Sequence, residues 1–166
     1  MNRAAKGFPP VIDAEIKTLI LGSFPSRKSL QKAEYYAHKQ NQFWRLVGAV
    51  IAEDMPREMD YAQRKRILLK HHIGLWDVIG ACEREGSLDS NIRNQRDNDF
   101  SPILSKAKKL RRVFFNGKKA AEKEPIFKLR YETVVLPSSS PANTMRFDAK
   151  LEQWRQITLH PSRKTC

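Results

Sequence analysis

Short apolar runs alternate with amphipathic segments along this chain. Residues 16–21 (IKTLIL), 73–79 (IGLWDVI), 112–115 and 132–136 predict strands, and the nearly continuous apolar character of the first is typical of a strand buried on both faces. Helices are predicted over 41–52, 60–72, 101–109, 118–124 (stopped by Pro125) and 146–159. Strands that alternate with helices favour an α/β fold with a parallel sheet covered on both faces.

The remaining segments predict connections. Residues 1–15 predict a lead-in that two prolines keep out of a helix, residues 22–40 a loop, and the polar residues 83–100 a long loop. A chain of 166 residues is long enough for one domain with a proper core and short for two. We therefore expect a single domain over 1–166, with its core at about 16–159.

Two small, polar, proline-stiffened loops follow predicted strands directly. They are Gly22–Ser26 (GSFPS) and Pro137–Asn143 (PSSSPAN). Ligands of open α/β sheets bind outside the carboxyl ends of the strands, so these loops are expected to form the rim of one site. Hydroxyl and amide groups donate to phosphate oxygens, although serine also bonds often within its own turn.

The charge of the chain indicates a phosphate-bearing polymer as partner. Lys and Arg number 31 against 18 Asp and Glu, a formal charge of +13, and the excess is distributed along the chain. For any single lysine, solubility is the simpler explanation. The two cysteines cannot supply a four-thiolate iron–sulfur site, and no metal-ligand spacing occurs, so we expect no metal site. Without a signal or membrane-spanning stretch, a cytoplasmic protein is expected.

Three further segments accompany the two loops in the same order along the chain. Residues 35–44 read YYAHKQNQFW, 74–78 read GLWDV and 114–120 read FFNGKKA. Together with the loops, they resemble the uracil-DNA glycosylase superfamily, and within it the hypoxanthine (deoxyinosine) DNA glycosylase branch. The resemblance spans about residues 16–159. It implies a three-layer α/β/α sandwich around a four-stranded parallel sheet, and excision of a deaminated base from DNA without metal or cofactor.

One departure from most of the superfamily concerns the attacking water. Most branches place an Asp or Asn in the loop after the first strand to position it, whereas Gly22–Ser26 has neither. The hypoxanthine branch assigns this role to an asparagine in the segment that matches Asn41, so the resemblance makes Asn41 the catalytic candidate. The alternative is a helix N-cap, and the two are compatible because a cap lies at the positive end of its helix.

Four residues are candidates for binding the extruded base. A buried carboxylate is costly unless paired, so Asp77 in an apolar strand either accepts the N–H of a hypoxanthine or uracil ring, or pairs with an arginine. Asn116 either donates to a purine O6 or, before Gly117, simply forms a turn. Phe24 and Phe43 are candidates for stacking on the base, although aromatic residues at helical spacing, such as Phe43 and Trp44, are usually core.

The DNA-binding candidates are the polar residues of the two loops. The second loop matches the superfamily loop that presses on the minor groove, but its small residues favour pinching phosphates over a wedge. The candidates are Ser23, Ser26, Ser138, Ser139, Ser140 and Asn143.

The sequence thus predicts a monofunctional glycosylase of base-excision repair that acts as a monomer on double-stranded or single-stranded DNA. It hydrolyses the N-glycosidic bond of a deaminated base, preferably hypoxanthine, with uracil and xanthine as further candidates, and leaves an abasic site. The alternative is a catalytically inactive nucleic-acid-binding module of the same fold. The absence of an Asp or Asn from Gly22–Ser26 favours this alternative. A serine hydrolase is not supported, because Gly-Ser-Phe-Pro is not a Gly-x-Ser-x-Gly elbow.

Overall fold

The computed structural model describes residues 3–159. The remaining residues include Arg163, Lys164 and Cys166, which lie outside the described part. Along the chain, the strands are β1 (Ala5–Lys6), β2 (Thr18–Gly22), β3 (Ile73–Asp77), β4 (Ile79–Glu83), β5 (Arg93–Asp97), β6 (Arg112–Asn116) and β7 (Glu132–Leu136). The α-helices are α1 (Arg27–Lys32), α2 (Phe43–Ile51), α3 (Tyr61–Lys70), α4 (Ser101–Lys106), α5 (Lys118–Ala121), α6 (Glu124–Lys128) and α7 (Phe147–Trp154).

A four-stranded parallel sheet in the order β3-β2-β6-β7 is the centre of the fold. The central strand β2 is fully buried, and its Ile20 lies between Leu75 and Phe114 of its neighbours. A strand buried on both faces needs helices above and below it, which explains the apolar run in the sequence. The predicted fold class, a three-layer α/β/α sandwich around this sheet, is confirmed.

A second, antiparallel sheet in the order β1-β4-β5 corrects three of the predictions. The predicted strand 73–79 ends at Asp77, and a new strand begins at Ile79 and joins the second sheet. The prediction of a long loop over 83–100 was wrong, because β5 pairs with β4 there; its side chains are polar since most are exposed. Residues 1–15 also contain a strand, β1.

The helix predictions need two corrections. The predicted loop 22–40 contains helix α1, which begins after Ser26, a residue whose side chain caps it. Pro125 does not end a helix but lies in the first turn of α6, where its missing N–H costs nothing. The other predicted helices are present with shifted ends.

The four parallel strands end side by side at one edge of the sheet. Gly22 at the end of β2 pairs in register with Asp77 of β3, and Asn116 of β6 pairs with Leu136 of β7. Both proline loops start from this edge. Between residues 3 and 159, no helix combines the length and apolar character that a membrane crossing requires.

Candidate active site

A cavity of about 990 Å³ opens at this edge of the sheet. Its volume lies at the upper end of the range of ligand pockets, roughly 300–1,000 Å³. The structure brings most of the predicted site residues into its lining, from both loops, two strand ends and the segment before α2. They are Ser23, Phe24, Ser26, Asn41, Asp77, Asn116, Ser138, Ser139, Ser140 and Asn143.

Ser139 is the centre of a hydrogen-bond network beneath this cavity, and it is fully buried. Its backbone N–H donates to Asn116 Oδ1 at 2.9 Å, and its Oγ accepts from Asn116 Nδ2 at 2.9 Å. The hydroxyl proton is then donated to Asn41 Oδ1, also at 2.9 Å. The second loop is therefore bonded to both asparagines, which are far apart in sequence.

The network determines which end of the Asn41 amide can bind a ligand. Besides the Ser139 hydroxyl, Asn41 Oδ1 accepts the backbone N–H of Phe43 at 2.9 Å. A carbonyl oxygen has two lone pairs, so its accepting capacity is used. The Nδ2 group has no hydrogen-bond partner within residues 3–159. Asn41 thus offers two N–H donors to the cavity and no acceptor.

The N-cap prediction for Asn41 was wrong by one residue. Helix α2 begins at Phe43, and Gln42 occupies the N-cap position without a side-chain cap bond. The Asn41 side chain still satisfies the first free N–H of the helix, by bonding two residues ahead as Asn does in Asx turns.

Asn116 is fully bonded to protein. Its Oδ1 accepts from Ser139, and its Nδ2 donates to Ser139 and, at 3.2 Å, to the hydroxyl of Tyr36. As placed, Asn116 has no free N–H for a purine O6, so the predicted base contact requires one of these bonds to break. The turn after it also forms, since Gly117 has φ +95°, a conformation that favours glycine.

Asp77 is the one acidic group among these residues that lies deep in the site, 4% exposed. Burial raises the pKa of its carboxyl to about 7; the charge of Asp89 adds to the increase and that of Arg84 opposes it. Its Oδ2 has no hydrogen-bond partner in the described residues. The predicted alternative, a paired arginine, is not found there, since Arg84 donates to the carbonyl of Pro25. Asp77 is therefore an unsatisfied acceptor at the cavity.

Gly22 leaves the room that Asp77 needs. A Cβ at this position would lie 2.5 Å from Asp77 Oδ1 and 2.6 Å from the hydroxyl oxygen of Tyr36. Contacts this short do not occur, so any larger residue displaces one or both side chains. The first loop thus contributes to the site chiefly through the absence of a side chain at Gly22, which leaves space for Asp77 and Tyr36.

The aromatic candidates separate into core and cavity. Phe43 is fully buried and does not line the cavity, and Trp44 donates its indole N–H to the carbonyl of Tyr35, so both belong to the core. The prediction that Phe43 contacts the base is corrected: Tyr36 stacks on it, with ring centroids 4.0 Å apart, and lines the cavity in its place. Phe24 lines the cavity as predicted.

Sequence reasoning missed Tyr36. It has φ +54°, an unusual backbone conformation for a bulky residue, which no local sequence pattern indicates. The only available signal was its place in the YYAHKQNQFW segment, five residues before Asn41.

The serine hydroxyls differ in whether they remain free to donate. Ser26 caps α1 and bonds Ser29 in both directions, and Ser23 donates to Asp89 Oδ1 at 2.7 Å. A phosphate contact from the Ser23 hydroxyl therefore requires the Asp89 bond to break. Ser138 and Ser140 instead accept backbone N–H groups, at 3.1 and 3.2 Å, so their hydroxyl protons remain for a ligand.

A buried lysine, which sequence reasoning missed, holds the second loop. Lys150 of α7 is 1% exposed, and its Nζ donates to the Gln42 side chain at 2.9 Å and to the carbonyls of Asn143 and Ser140 at 3.0 and 3.5 Å. Burial lowers its pKa. Asn143 braces the same loop through a bond from its amide to the Ser138 carbonyl at 3.1 Å. These bonds join the loop to the residue beside Asn41.

The described part of the chain has no group of three or more His, Cys, Asp or Glu side chains placed to hold a metal ion. Among the predicted catalytic and base-binding residues, Asn41 and Asp77 have hydrogen-bonding capacity left for a ligand: an amide N–H group and a carboxyl oxygen.

Comparison with known proteins agrees with this geometry. The family model of the uracil DNA glycosylase superfamily matches residues 9–159. A hypoxanthine DNA glycosylase from Methanosarcina acetivorans is 45% identical over 156 residues, 93% of this chain and 98% of that protein. One from Methanosarcina barkeri is 44% identical over 152 residues, 91% of this chain and 96% of that protein.

A solved structure is similar over the same range. The solution NMR structure of a candidate uracil DNA glycosylase from Methanosarcina acetivorans superimposes with a TM-score of 0.84 at 44% identity, and the match covers 93% of this chain and 96% of that one. The family resemblance inferred from the sequence motifs is therefore confirmed, and the chain belongs to the uracil DNA glycosylase superfamily.

Proposed function

We propose that this protein is a monofunctional DNA glycosylase that hydrolyses the bond between deoxyribose and a deaminated base, preferably hypoxanthine, and leaves an abasic site. The observation on which the proposal rests is the pairing, in one cavity at the strand ends, of an unsatisfied carboxyl acceptor, Asp77, with an unpaired amide donor, Asn41. The names of the two Methanosarcina relatives support the choice of hypoxanthine.

Asp77 is suited to select a deaminated base. Hypoxanthine presents an N1–H donor where adenine, its parent base, presents an acceptor. In its ionised form, the carboxyl group bonds the former and repels the latter, and an unsatisfied buried acceptor makes the mismatch costly. The N3–H of uracil and the ring N–H groups of xanthine offer the same donor, which keeps both as further substrates.

Asn41 is suited to hold the water. The glycosidic bond breaks toward a sugar cation, with its electron pair leaving on the base. Water adds at C1′ and loses a proton, and the departing base is neutralised by a proton from solvent. A water that attacks a cation needs to be held in place more than it needs to be deprotonated. The free N–H groups of Asn41 hold it through its oxygen. This chemistry suits a base that is a good leaving group, because neither Asn41 nor Asp77 acts as a strong base toward the water.

The DNA strand is proposed to bind across the rim of the cavity. The charge of +13 favours the phosphate backbone, and the free hydroxyl protons of Ser138 and Ser140 fit phosphate oxygens. We propose that a monomer acts, on double-stranded or single-stranded DNA, in the cytoplasm.

One assay distinguishes a glycosylase from the alternative, an inactive binding module. The protein is incubated with a duplex containing one inosine, the DNA is treated with alkali, and strand cleavage and released hypoxanthine are measured. A glycosylase gives cleavage at the inosine. A binding module shifts the duplex on a gel and leaves it uncut, which would refute the proposal. Duplexes with uracil, xanthine and adenine at the same position then rank the bases.

Two substitutions of Asn41 test how it acts. Asn41→Ala is expected to lower single-turnover excision by about 10²–10⁴-fold, as for other groups that position a reactant, while the DNA dissociation constant changes little. Asn41→Asp keeps the oxygen that bonds Ser139 and Phe43 but removes the N–H donors, so it is expected to be as inactive. Wild-type excision by Asn41→Asp would overturn the donor role, and equal losses of binding and excision in Asn41→Ala would make the residue structural.

A further inference from the structure

Exposed apolar side chains concentrate at the mouth of the cavity. Of the six large hydrophobic residues exposed in the described part of the chain, three line this cavity: Leu88, Val135 and Met145. Leu88 is the most exposed of the three, at 53%, and lies outside every motif discussed so far. A single exposed leucine needs no explanation, but its place at the rim of a nucleotide-sized cavity does.

The two neighbours of Leu88 fix it in place. The hydroxyl oxygen of Ser87 accepts the backbone N–H of Arg27 at 3.1 Å, and the carboxylate of Asp89 accepts the Ser23 hydroxyl at 2.7 Å. The connection between β4 and β5 is thus bonded to the start of α1 immediately before Leu88 and to the first loop immediately after it. A 3-10 turn, Asp89–Asn91, follows directly. The leucine side chain therefore extends from an anchored segment.

The chemistry of this segment fits bases better than phosphates. Asp89 is an anion next to Leu88, and the run Ser87–Ser90 contains no basic residue. Basic residues that can hold the backbone line the same cavity from other segments; they are Arg93, Lys118 and Lys119. The lining thus separates cations, which attract the phosphate backbone, from the rim segment Ser87–Ser90, which does not.

We infer that Leu88 inserts into the base stack beside the extruded nucleotide and fills the gap that the nucleotide leaves. The inference rests on the proposed function, because only an enzyme that everts a base opens such a gap. Everting a nucleotide exposes the apolar faces of the flanking bases to water, and apolar side chains inserted between base steps are an established way to stabilise an opened stack. The extruded state is then favoured without any contact to the base itself.

The test compares Leu88→Ala with Leu129→Ala, a leucine that is 90% exposed and does not line the cavity. Excision is measured under single turnover on an inosine duplex and on the same inosine strand alone. Leu88→Ala is expected to lose about tenfold or more on the duplex, equivalent to about 1.4 kcal/mol, and little on the single strand, which has no paired stack to open. Leu88→Met is expected to restore most of the loss, and Leu129→Ala to match wild type on both.

A second readout does not depend on catalysis. Binding is measured to a duplex with a tetrahydrofuran abasic analogue and 2-aminopurine as its neighbour, whose fluorescence rises when it unstacks. Wild type is expected to raise the fluorescence, and Leu88→Ala at saturation is not. Equal signals from both proteins, or equal losses of excision on duplex and single strand, overturn the role of Leu88. If wild type releases no base, the proposed function fails, and the fluorescence comparison still decides whether Leu88 enters the stack.

Discussion

The two loops are both short, rich in serine and stiffened by proline, and both follow a strand of the parallel sheet, yet they contribute to the site in different ways. Pro137–Asn143 is bonded into the site: its buried Ser139 connects both asparagines, and Lys150 binds it from below. Gly22–Ser26 supplies space, because the missing side chain of Gly22 lets two polar groups approach each other. Its own serines bond elsewhere.

This difference shows that residue type does not determine the role of a loop. Five serines occur in the two loops, and only one of them, Ser139, is fully buried among hydrogen-bond partners. The two loops differ in their neighbours. Ser139 of the second loop bonds the side chain of Asn41, whereas Gly22 of the first loop lies closely against the side chains of Asp77 and Tyr36. Substitutions in the first loop should therefore lower activity through steric clashes, and substitutions around the second loop through the loss of hydrogen bonds.

The largest expected effect comes from filling the space in the first loop. Gly22→Ala places a methyl group within 2.6 Å of both Asp77 Oδ1 and the Tyr36 hydroxyl, so one or both must move. Displacing groups that touch the base by about 1 Å can cost about 10²-fold in excision. Because Gly22 does not have a left-handed backbone, the chain itself tolerates alanine, and the thermal midpoint should fall little. Single-turnover excision on an inosine duplex measures the effect.

Gly7→Ala is the matched control for this substitution. Its added Cβ would meet atoms at 3.4 Å, ordinary contacts, and Gly7 does not line the cavity. It should excise like wild type. If Gly22→Ala is equally active, the first loop does not act by leaving room, and the contrast between the loops disappears.

How far the sequence predicts this site depends on whether the signal is local. Asp77 was identifiable because a carboxylate within an apolar strand is costly wherever that strand packs. Asn41 was found through its motif, but the end of its amide that faces the cavity depends on Ser139, 98 residues away. Tyr36 and Lys150 gave no local sign, since their importance comes from which loops meet, a property of the tertiary structure.

The same reasoning applies to the fold. The four strands of the parallel sheet were predicted closely because short apolar runs are a local pattern. The strand β5 was missed because its residues, RNQRD, are mostly exposed, and only pairing with β4 makes them a strand. The segment that presents Leu88 was therefore interpreted as part of a featureless loop.

A smaller effect is expected from loosening the second loop. Lys150→Met keeps the length and apolar stem of the side chain but leaves the Gln42 side chain and the Asn143 carbonyl without their donor. We expect the free energy of unfolding to fall by about 1–3 kcal/mol, the usual cost of unpaired buried groups. Excision should fall about tenfold, because the loop that bonds Asn41 becomes less fixed. Urea denaturation and single-turnover excision measure the two effects.

Lys128→Met controls for the lost charge, since Lys128 is exposed on α6 and away from the cavity. It should weaken DNA binding slightly at most and leave stability unchanged. An unchanged excision rate in Lys150→Met at saturating DNA, with stability lowered, would show that Lys150 supports the fold but not the arrangement of the site.

The last effect is on stability and depends on pH. It concerns the buried carboxyl beside Gly22, which has an oxygen without a partner in the described residues, whereas the hydroxyl and the backbone N–H of Ser139 are both bonded. Burial raises the pKa of Asp77 from 3.8 to about 7 in the folded protein. Between about pH 4 and pH 7 the folded state therefore binds more protons than the unfolded chain, so stability should decrease as pH rises through that window. Asp77→Asn removes the cost of ionising this buried group. Above pH 7 its free energy of unfolding should exceed that of wild type by at most about 4 kcal/mol, and near pH 4 the two proteins should be equally stable. Urea denaturation of both proteins from pH 4 to pH 8 measures the difference, and parallel curves would mean that Asp77 stays ionised and bonded, as a partner of the protein and not as a free acceptor for the base.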